Sequence, residues 1–504
     1  MSILLRVSMS ALAVTAACAL VGCATVGPDF KPIPVDAPAR WSDWHGGDSS
    51  LSATEAVGSP LPADRWSVFG DPDLSRLLAR ATQANQDVKT ATLRVLQARV
   101  EETTVSAQRG IQLAARGGLA RERQSESGSS SRLVNAIGGA NTPSLIGVLS
   151  SPFTVYQAGF DASWEPDLWG RVLRAEESAK ATGDAQEAAL RQVMLSVRAE
   201  VARSYFSLRA AQRQQALVKD EFAGARETQE LLAAQSDSGL SDESAVIRQR
   251  SQVAALRALL PSLLAQEAQA MNQLTLLCGA EPGSMNDDLA ARATGEPPSG
   301  LPDLRLGVPA ELARHRPDVA AAEARLHAAT ANIGVAVADL YPRITLGASF
   351  GLESVGSSKF GDWGSRQWSV GPTLSIPVFD QGRRRATIQL RELQQQEAAV
   401  AFQQTVLKAW HEVDDAVSTF ITETQRGAQL AERVRNGQDE AVLSQARYAN
   451  GLTTYLPVLS ASASLINAQR DQAESTARTQ AALASLYKTL GEDPRSPGSS
   501  AIAP

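Results

Sequence analysis

The chain repeats itself at a fixed distance, and this restricts its fold more than any other feature. Gly170-Arg171 recurs as Gly382-Arg383, Gly239-Leu240 as Gly451-Leu452 and Gly279 as Gly491, each 212 residues later. Three equal offsets signal an internal duplication in which each copy follows one structural plan. Asp87-Val88 recurs as Asp318-Val319 at a spacing of 231, so copy one carries nineteen extra residues between these anchors. The serine- and glycine-rich run from Ser125 to Ser151 is the obvious place for them, and it reads as a longer loop.

Within each copy there is a long proline-free stretch, between Pro166 and Pro261 and between Pro377 and Pro457, with apolar residues at helical spacing. Val193, Val197, Val201, Tyr205 and Leu208 form one stripe; Val406, Trp410, Val413, Val417 and Phe420 form its counterpart. A helix from Arg171 to Ser236 would reach roughly 100 Å at about 1.5 Å per residue. Ser238-Gly239-Leu240 and Asn450-Gly451-Leu452 supply a reversal after each rod, because glycine accepts the left-handed conformation that ends a helix. Return helices follow over Asp242 to Leu277 and Tyr455 to Leu490. Each copy therefore holds an antiparallel helical hairpin.

Elsewhere the period changes to two. From Arg343 to Glu353, Ile344, Leu346, Ala348, Phe350 and Leu352 alternate with polar or small residues, and Trp368, Val370, Leu374, Ile376 and Val378 do so in the next segment. Copy one has weaker equivalents at Ile111 to Gln124 and Phe153 to Leu168. These segments approach the roughly 9 to 11 residues that a tilted strand needs to cross a bilayer. Four strands cannot close a barrel, and open edges are not tolerated in lipid, so closure requires oligomerisation.

The N-terminus gives the address. Residues 1 to 22 read as a signal peptide: Arg6 is its cation, and Val7 to Leu20 form an apolar core too short to span a bilayer. Leu20-Val21-Gly22-Cys23 is a lipobox, in which Cys23 is the acylated first residue of the mature chain. Ala24 follows without an inner-membrane retention aspartate, which favours the outer membrane. The covalent lipid on Cys23 is the sole non-protein group expected. Residues 23 to 64, rich in proline and glycine, read as an acylated extended tail; 65 to 300 form repeat one, 301 to 492 repeat two, and 493 to 504 a flexible C-terminal tail. With Cys23 acylated and Cys18 removed, Cys278 stands alone and no internal disulfide forms. The formal charge of −6 argues against a nucleic-acid partner.

The chain resembles the outer-membrane factors, the TolC-like efflux proteins, and more closely their NodT-type lipoproteins. The likeness rests on Val26-Gly27-Pro28-Asp29-Phe30, Trp66 to Leu74, Trp164 to Arg171, Arg316 to Val319, Tyr341 to Ile344, Pro377 to Arg383, and Arg447-Tyr448 with Gly451-Leu452. It implies an α+β membrane protein: a homotrimeric twelve-strand β-barrel in the outer membrane continued by a twelve-helix periplasmic α-barrel. It further implies a periplasmic adaptor and an inner-membrane efflux pump as partners, with outer-membrane lipid around the barrel.

On that reading Gly239, Leu240, Gly451 and Leu452 mark the periplasmic tips that dock the adaptor. Relatives often carry aspartates six and nine residues after the second turn glycine; here Pro457 and Ser460 stand there, so Asp242, Glu243 and Ser460 are the gate candidates. Arg383, Arg384 and Arg385 open a helix, either touching lipid headgroups at the membrane rim or forming a solvated helix start. The four histidines are scattered without metal-site spacing, and His411-Glu412 with Asp414-Asp415 reads as a solvated helix face, so neither a metal nor an enzyme is expected. The competing reading is a periplasmic adaptor or a structural coiled-coil lipoprotein without a channel. Adaptors carry one hairpin, and a spacer needs no paired strands.

Overall fold

The duplication reappears in the lengths of the helices. In the computed structural model, which describes residues 25–34, 45–52, 65–137, 139, 142–239, 242–290 and 316–491, the order is α1 (Pro72–Ala84), α2 (Gln86–Ser106), β1 (Gln112–Glu122), α3 (Ser129–Ile137), α4 (Thr142–Leu149), β2 (Phe153–Trp164), α5 (Arg171–Asp237), α6 (Glu243–Leu277), α7 (Pro317–Ala338), β3 (Arg343–Ser354), β4 (Arg366–Ser375), α8 (Arg383–Ala449) and α9 (Leu456–Thr489). Helices α5 and α8 are each 67 residues long, and α6 and α9 have 35 and 34 residues. Glycines 170, 239, 279, 382, 451 and 491, all paired by the 212-residue offset, have positive φ. At the second turn the Gly451 N–H donates to Tyr448 O and the Leu452 N–H to Arg447 O, both at 2.9 Å, which closes the last helical turn in a Schellman motif.

The chain divides into two compact units that do not follow the repeats; each repeat contributes to both. One unit comprises residues 1–31, 98–182 and 326–397. Its centre is an antiparallel sheet in the order β1-β2-β3-β4. The register aligns Ala115 with Phe160, Phe160 with Phe350 and Phe350 with Trp368. Because side chains alternate along a strand, this register gathers most of the large apolar residues of all four strands on one face and most of the polar ones on the other. Gly159 and Gly351 face one another on the polar side. A Cβ on Gly159 would lie 2.6 Å from Phe350 O and one on Gly351 would lie 2.8 Å from Ala158 O, so larger residues would force these strands apart.

The connection between β1 and β2 runs over 123–152 and that between β3 and β4 over 355–365, thirty residues against eleven. The difference is the nineteen residues expected from the repeat offsets. The expected loop from Ser125 to Ser151 is, however, largely two helices, α3 and α4. At nine and eight residues they are too short for a helical period to emerge.

The other unit comprises 32–97, 183–325 and 398–504 and holds one apolar core. Val197, Val201, Tyr205 and Leu208 from α5 meet Val413, Val417 and Phe420 from α8, with Leu74, Leu77 and Leu78 from α1 and Leu483, Leu486 and Tyr487 from α9. The two apolar stripes are therefore buried. Asp71 caps α1 by accepting from the Asp73 and Leu74 N–H groups, and its second oxygen accepts from the Tyr205 hydroxyl at 2.5 Å. Burial first, and this hydrogen bond second, push the Tyr205 hydroxyl up to about 12.

Candidate functional site

The apolar sheet face is unburied in the protomer. Phe160, Phe350 and Trp368, one cross-strand row, are 56%, 50% and 69% exposed. Leu113, Leu119, Leu346, Val370 and Leu374 share that face and are exposed too. A contiguous apolar surface of this kind marks contact with membrane or protein. The opposite face is hydrogen-bonded across strands: Arg116 pairs with Asp161 at 2.6 Å, Gln157 donates to Glu353 at 2.9 Å, and the Ser349 and Ser369 hydroxyls lie 2.8 Å apart. Such a sheet suits a barrel with lipid outside and water inside. Among the described residues no helix is long and apolar enough to cross a membrane.

At the ends of these strands nearest the long helices, a cavity of about 170 Å³ is lined by Glu165, Trp169, Arg171, Tyr341, Arg343 and Arg384, among others. Arg171 and Arg343 share Glu165, at 3.3 and 3.6 Å, and Trp169 stacks on Tyr341 with centroids 4.6 Å apart. Arg384, one of the three arginines singled out from sequence, pairs with Asp380 at 2.9 Å, which places a carboxylate before the first turn of α8. Arg383 and Arg385 are exposed.

Cys23 and Leu240 lie outside the described residues. The segment just after Cys23 is described, and it is packed, whereas the sequence suggested an extended tail and no packed element. The Val26 N–H donates to Trp169 O at 3.1 Å. Gly27, with φ +90, leaves no room for a Cβ, which would stand 2.4 Å from Gly334 Cα. Arg174, almost fully buried, reaches Asp29 at 2.5 Å and Glu177 at 2.8 Å, and Glu177 in turn meets His327 at 2.8 Å. Phe30 stacks on His327 with centroids 4.4 Å apart. The sequence names Val26 to Phe30 as a marker; its partners, far away along the chain, carry no local signal.

At the two helical turns, Gly239 and Gly451 end α5 and α8 with φ of +74 and +70, and Leu452 is exposed. Asp242 is the N-cap of α6: its side chain accepts from the Ser244 hydroxyl and from the Ser244 N–H at 3.1 Å. These bonds hold its carboxyl below the usual aspartate value. Glu243 is exposed in the first turn of α6 and Ser460 is exposed on α9, which begins without any side-chain cap.

The His411 to Asp415 stretch differs from a wholly solvated face. His411 and Asp415 are exposed, but Asp414 lies 2.7 Å from His45, and Glu412 lies 2.5 Å from the buried Arg316. Arg316 also pairs with Asp318 at 2.7 Å and donates to Thr489 O at 3.0 Å. Two of the four side chains thus brace other parts of the chain, through partners a helix-period argument cannot see. Among the described residues no three His, Cys, Asp or Glu side chains gather as a metal site would require.

Comparison with known proteins agrees with this geometry. Residues 77–280 and 308–492 match the model of the outer membrane efflux protein family. The chain is 31% identical over 476 residues to the outer membrane protein OprJ of Pseudomonas aeruginosa, covering 94% of this chain and 93% of that one. It is 28% identical over 479 residues to a probable outer membrane lipoprotein, SilC, of Salmonella typhimurium, covering 94% and 96%. Its fold matches the solved outer-membrane channel OprN with a TM-score of 0.79 at 29% identity, covering 93% and 99%. The duplicated plan, the two-faced sheet and these likenesses lead to one conclusion: the chain belongs to the outer membrane efflux protein family, has the fold of its trimeric channels, and is the outer-membrane component of an efflux system.

Proposed function

We propose that three copies close their sheets into one twelve-strand barrel and their long hairpins into a periplasmic tunnel that docks, through the turns at Gly239-Leu240 and Gly451-Leu452, on a periplasmic adaptor and an inner-membrane pump. The observation that carries this is the exposed apolar sheet face opposite a hydrogen-bonded polar face, with β1 and β4 left as open edges. Such edges are stable in lipid only when another copy pairs with them. Acyl chains on Cys23 anchor the mature chain to the outer membrane, and the packed segment from Val26 to Phe30 holds that anchor to the sheet-bearing unit. Transport through such a duct calls for no catalytic group or cofactor.

A cysteine at Leu452, in cells carrying the cognate adaptor and pump, should crosslink to the adaptor; labelling of Leu452→Cys by an impermeant reagent from outside intact cells would invert the topology. Labelled fatty acid should enter the wild type and not Cys23→Ser. Ser460 is uncharged, so unless Asp242 and Glu243 form the ring instead, the narrow end lacks one. Divalent cations on the periplasmic side should block Ser460→Asp channels and spare the wild type, because a threefold carboxylate ring concentrates cations. Block of the wild type would place the ring at Glu243 or elsewhere.

A further inference from the structure

The two helices inserted between β1 and β2 have no counterpart in repeat two and no role in the proposed barrel wall. From Leu133 to Phe160 the sequence contains no Asp, Glu, Lys or Arg. Helix α4 presents Leu145, Val148 and Leu149 to solvent in the protomer, with Val148 73% exposed. An apolar helix on a protein surface needs a cover.

Two observations indicate which cover. Interfacial helices that lie on a bilayer carry Lys or Arg along their polar face, and α4 carries none. Val155, whose position in the register puts it on the polar face of the sheet, is buried, while Gln157 on the same face and strand is exposed. Ser150, at the root of the insertion, is also buried, and its carbonyl accepts from Arg123 Nε at 3.2 Å. Cover on this face is local to Val155 and Ser150, beside the root of the insertion, while Ala120 and Glu122 of β1 stay exposed.

Size lets the inserted helices of three copies meet. Twelve strands about 4.8 Å apart and tilted by about 40° enclose a barrel of roughly 12 Å radius. The eight residues of α4 span about 12 Å at 1.5 Å per residue. Threefold symmetry would bring three copies of one apolar helix to a common axis.

We propose that α3 and α4 fold across the outer mouth of the channel and that the three copies meet through Leu145, Val148 and Leu149, forming an apolar constriction that narrows the wetted path and slows ions without closing it. This rests on the trimeric barrel proposed above. The occupant of the α4 surface is a second copy of this chain.

The test uses the full-length protein in planar bilayers and in phospholipid vesicles. The triple variant Leu145→Gln, Val148→Gln, Leu149→Gln should remain a heat-modifiable trimer and conduct roughly threefold or more above wild type, since polar side chains let water fill more of the constriction. Val148→Cys should form interprotomer disulfides on mild oxidation, where the wild type, whose Cys278 is buried, forms none. Unchanged conductance in an intact trimeric triple variant would overturn the constriction. Quenching of a fluorophore on Val148→Cys by nitroxide-labelled phospholipid would also overturn it, by assigning α4 to the lipid surface. A wild type that neither trimerises nor conducts would overturn the channel reading itself.

Discussion

The two repeats solve one joint in two ways. In repeat one, Asn85 caps α2 by accepting from the Asp87 and Val88 N–H groups, and its amide donates to Leu277 O at 2.9 Å at the end of the return helix. In repeat two the equivalent position is Arg316, which donates to Thr489 O, the carbonyl equivalent to that of Leu277. The carbonyl is capped both times, once by a neutral amide and once by a cation. The cation brings an obligation: it is buried, so Asp318 and Glu412 must neutralise it. Duplicated sequence thus preserved the joint's geometry while its chemistry diverged, and the helix bearing Glu412 acquired a brace that its copy-one counterpart lacks at this joint.

The difference predicts an order of effects. Arg316→Ala should be the most damaging, about 3 kcal/mol, because it strands a buried carbonyl and two partly buried carboxylates at once; the value is at the low end for a broken buried pair because both carboxylates retain some water. Thermal dissociation of the trimer and urea unfolding would measure it. Asn85→Ala should cost about 2 kcal/mol, combining a lost cap with an unsatisfied Leu277 carbonyl. A larger loss for Asn85→Ala would show that the charge in repeat two adds nothing to the joint.

The smallest effect belongs to His45, which meets Asp414 on the same helix. The hydrogen bond that His45 donates to the Asp414 carboxylate raises the His45 pKa above its usual 6.5. A raised folded value means that the stabilisation is fully present below the unfolded pKa and is lost as pH rises through the folded one. Asp414→Asn should return the His45 titration, followed by NMR of the imidazole, towards 6.5. No change on substitution would remove Asp414 as the cause.

What could be read in the sequence was what repeats within a few residues. The apolar stripes of α5 and α8 and the alternation of β3 were legible because burial on one face leaves a period of 3.6 or 2. Strand β1, with adjacent Gly117 and Gly118, was fainter, yet its register with β2 is complete. The turn glycines were legible through the duplication, since two copies of one turn expose each other. Long-range partners left no such trace. Nothing near Gly27 announces Gly334, and nothing near Glu412 announces Arg316; the two stretches read as an extended tail and a solvated face, and each in addition makes specific long-range contacts. Helices α3 and α4 leave little trace in the sequence because eight or nine residues form little more than two turns, too few for a period to show.

The contrast between a half-finished sheet and a complete helical core makes the oligomer the central claim. The most direct measurement is the mass of the detergent-extracted protein before and after heating, together with ion conductance of the unheated form in a planar bilayer. Closure of β1 against β4 of a neighbouring copy predicts a species of three chains that conducts, and that collapses on heating to a single chain, one third of its mass, without conductance. A folded, stable monomer, or a trimer that never conducts, would contradict it.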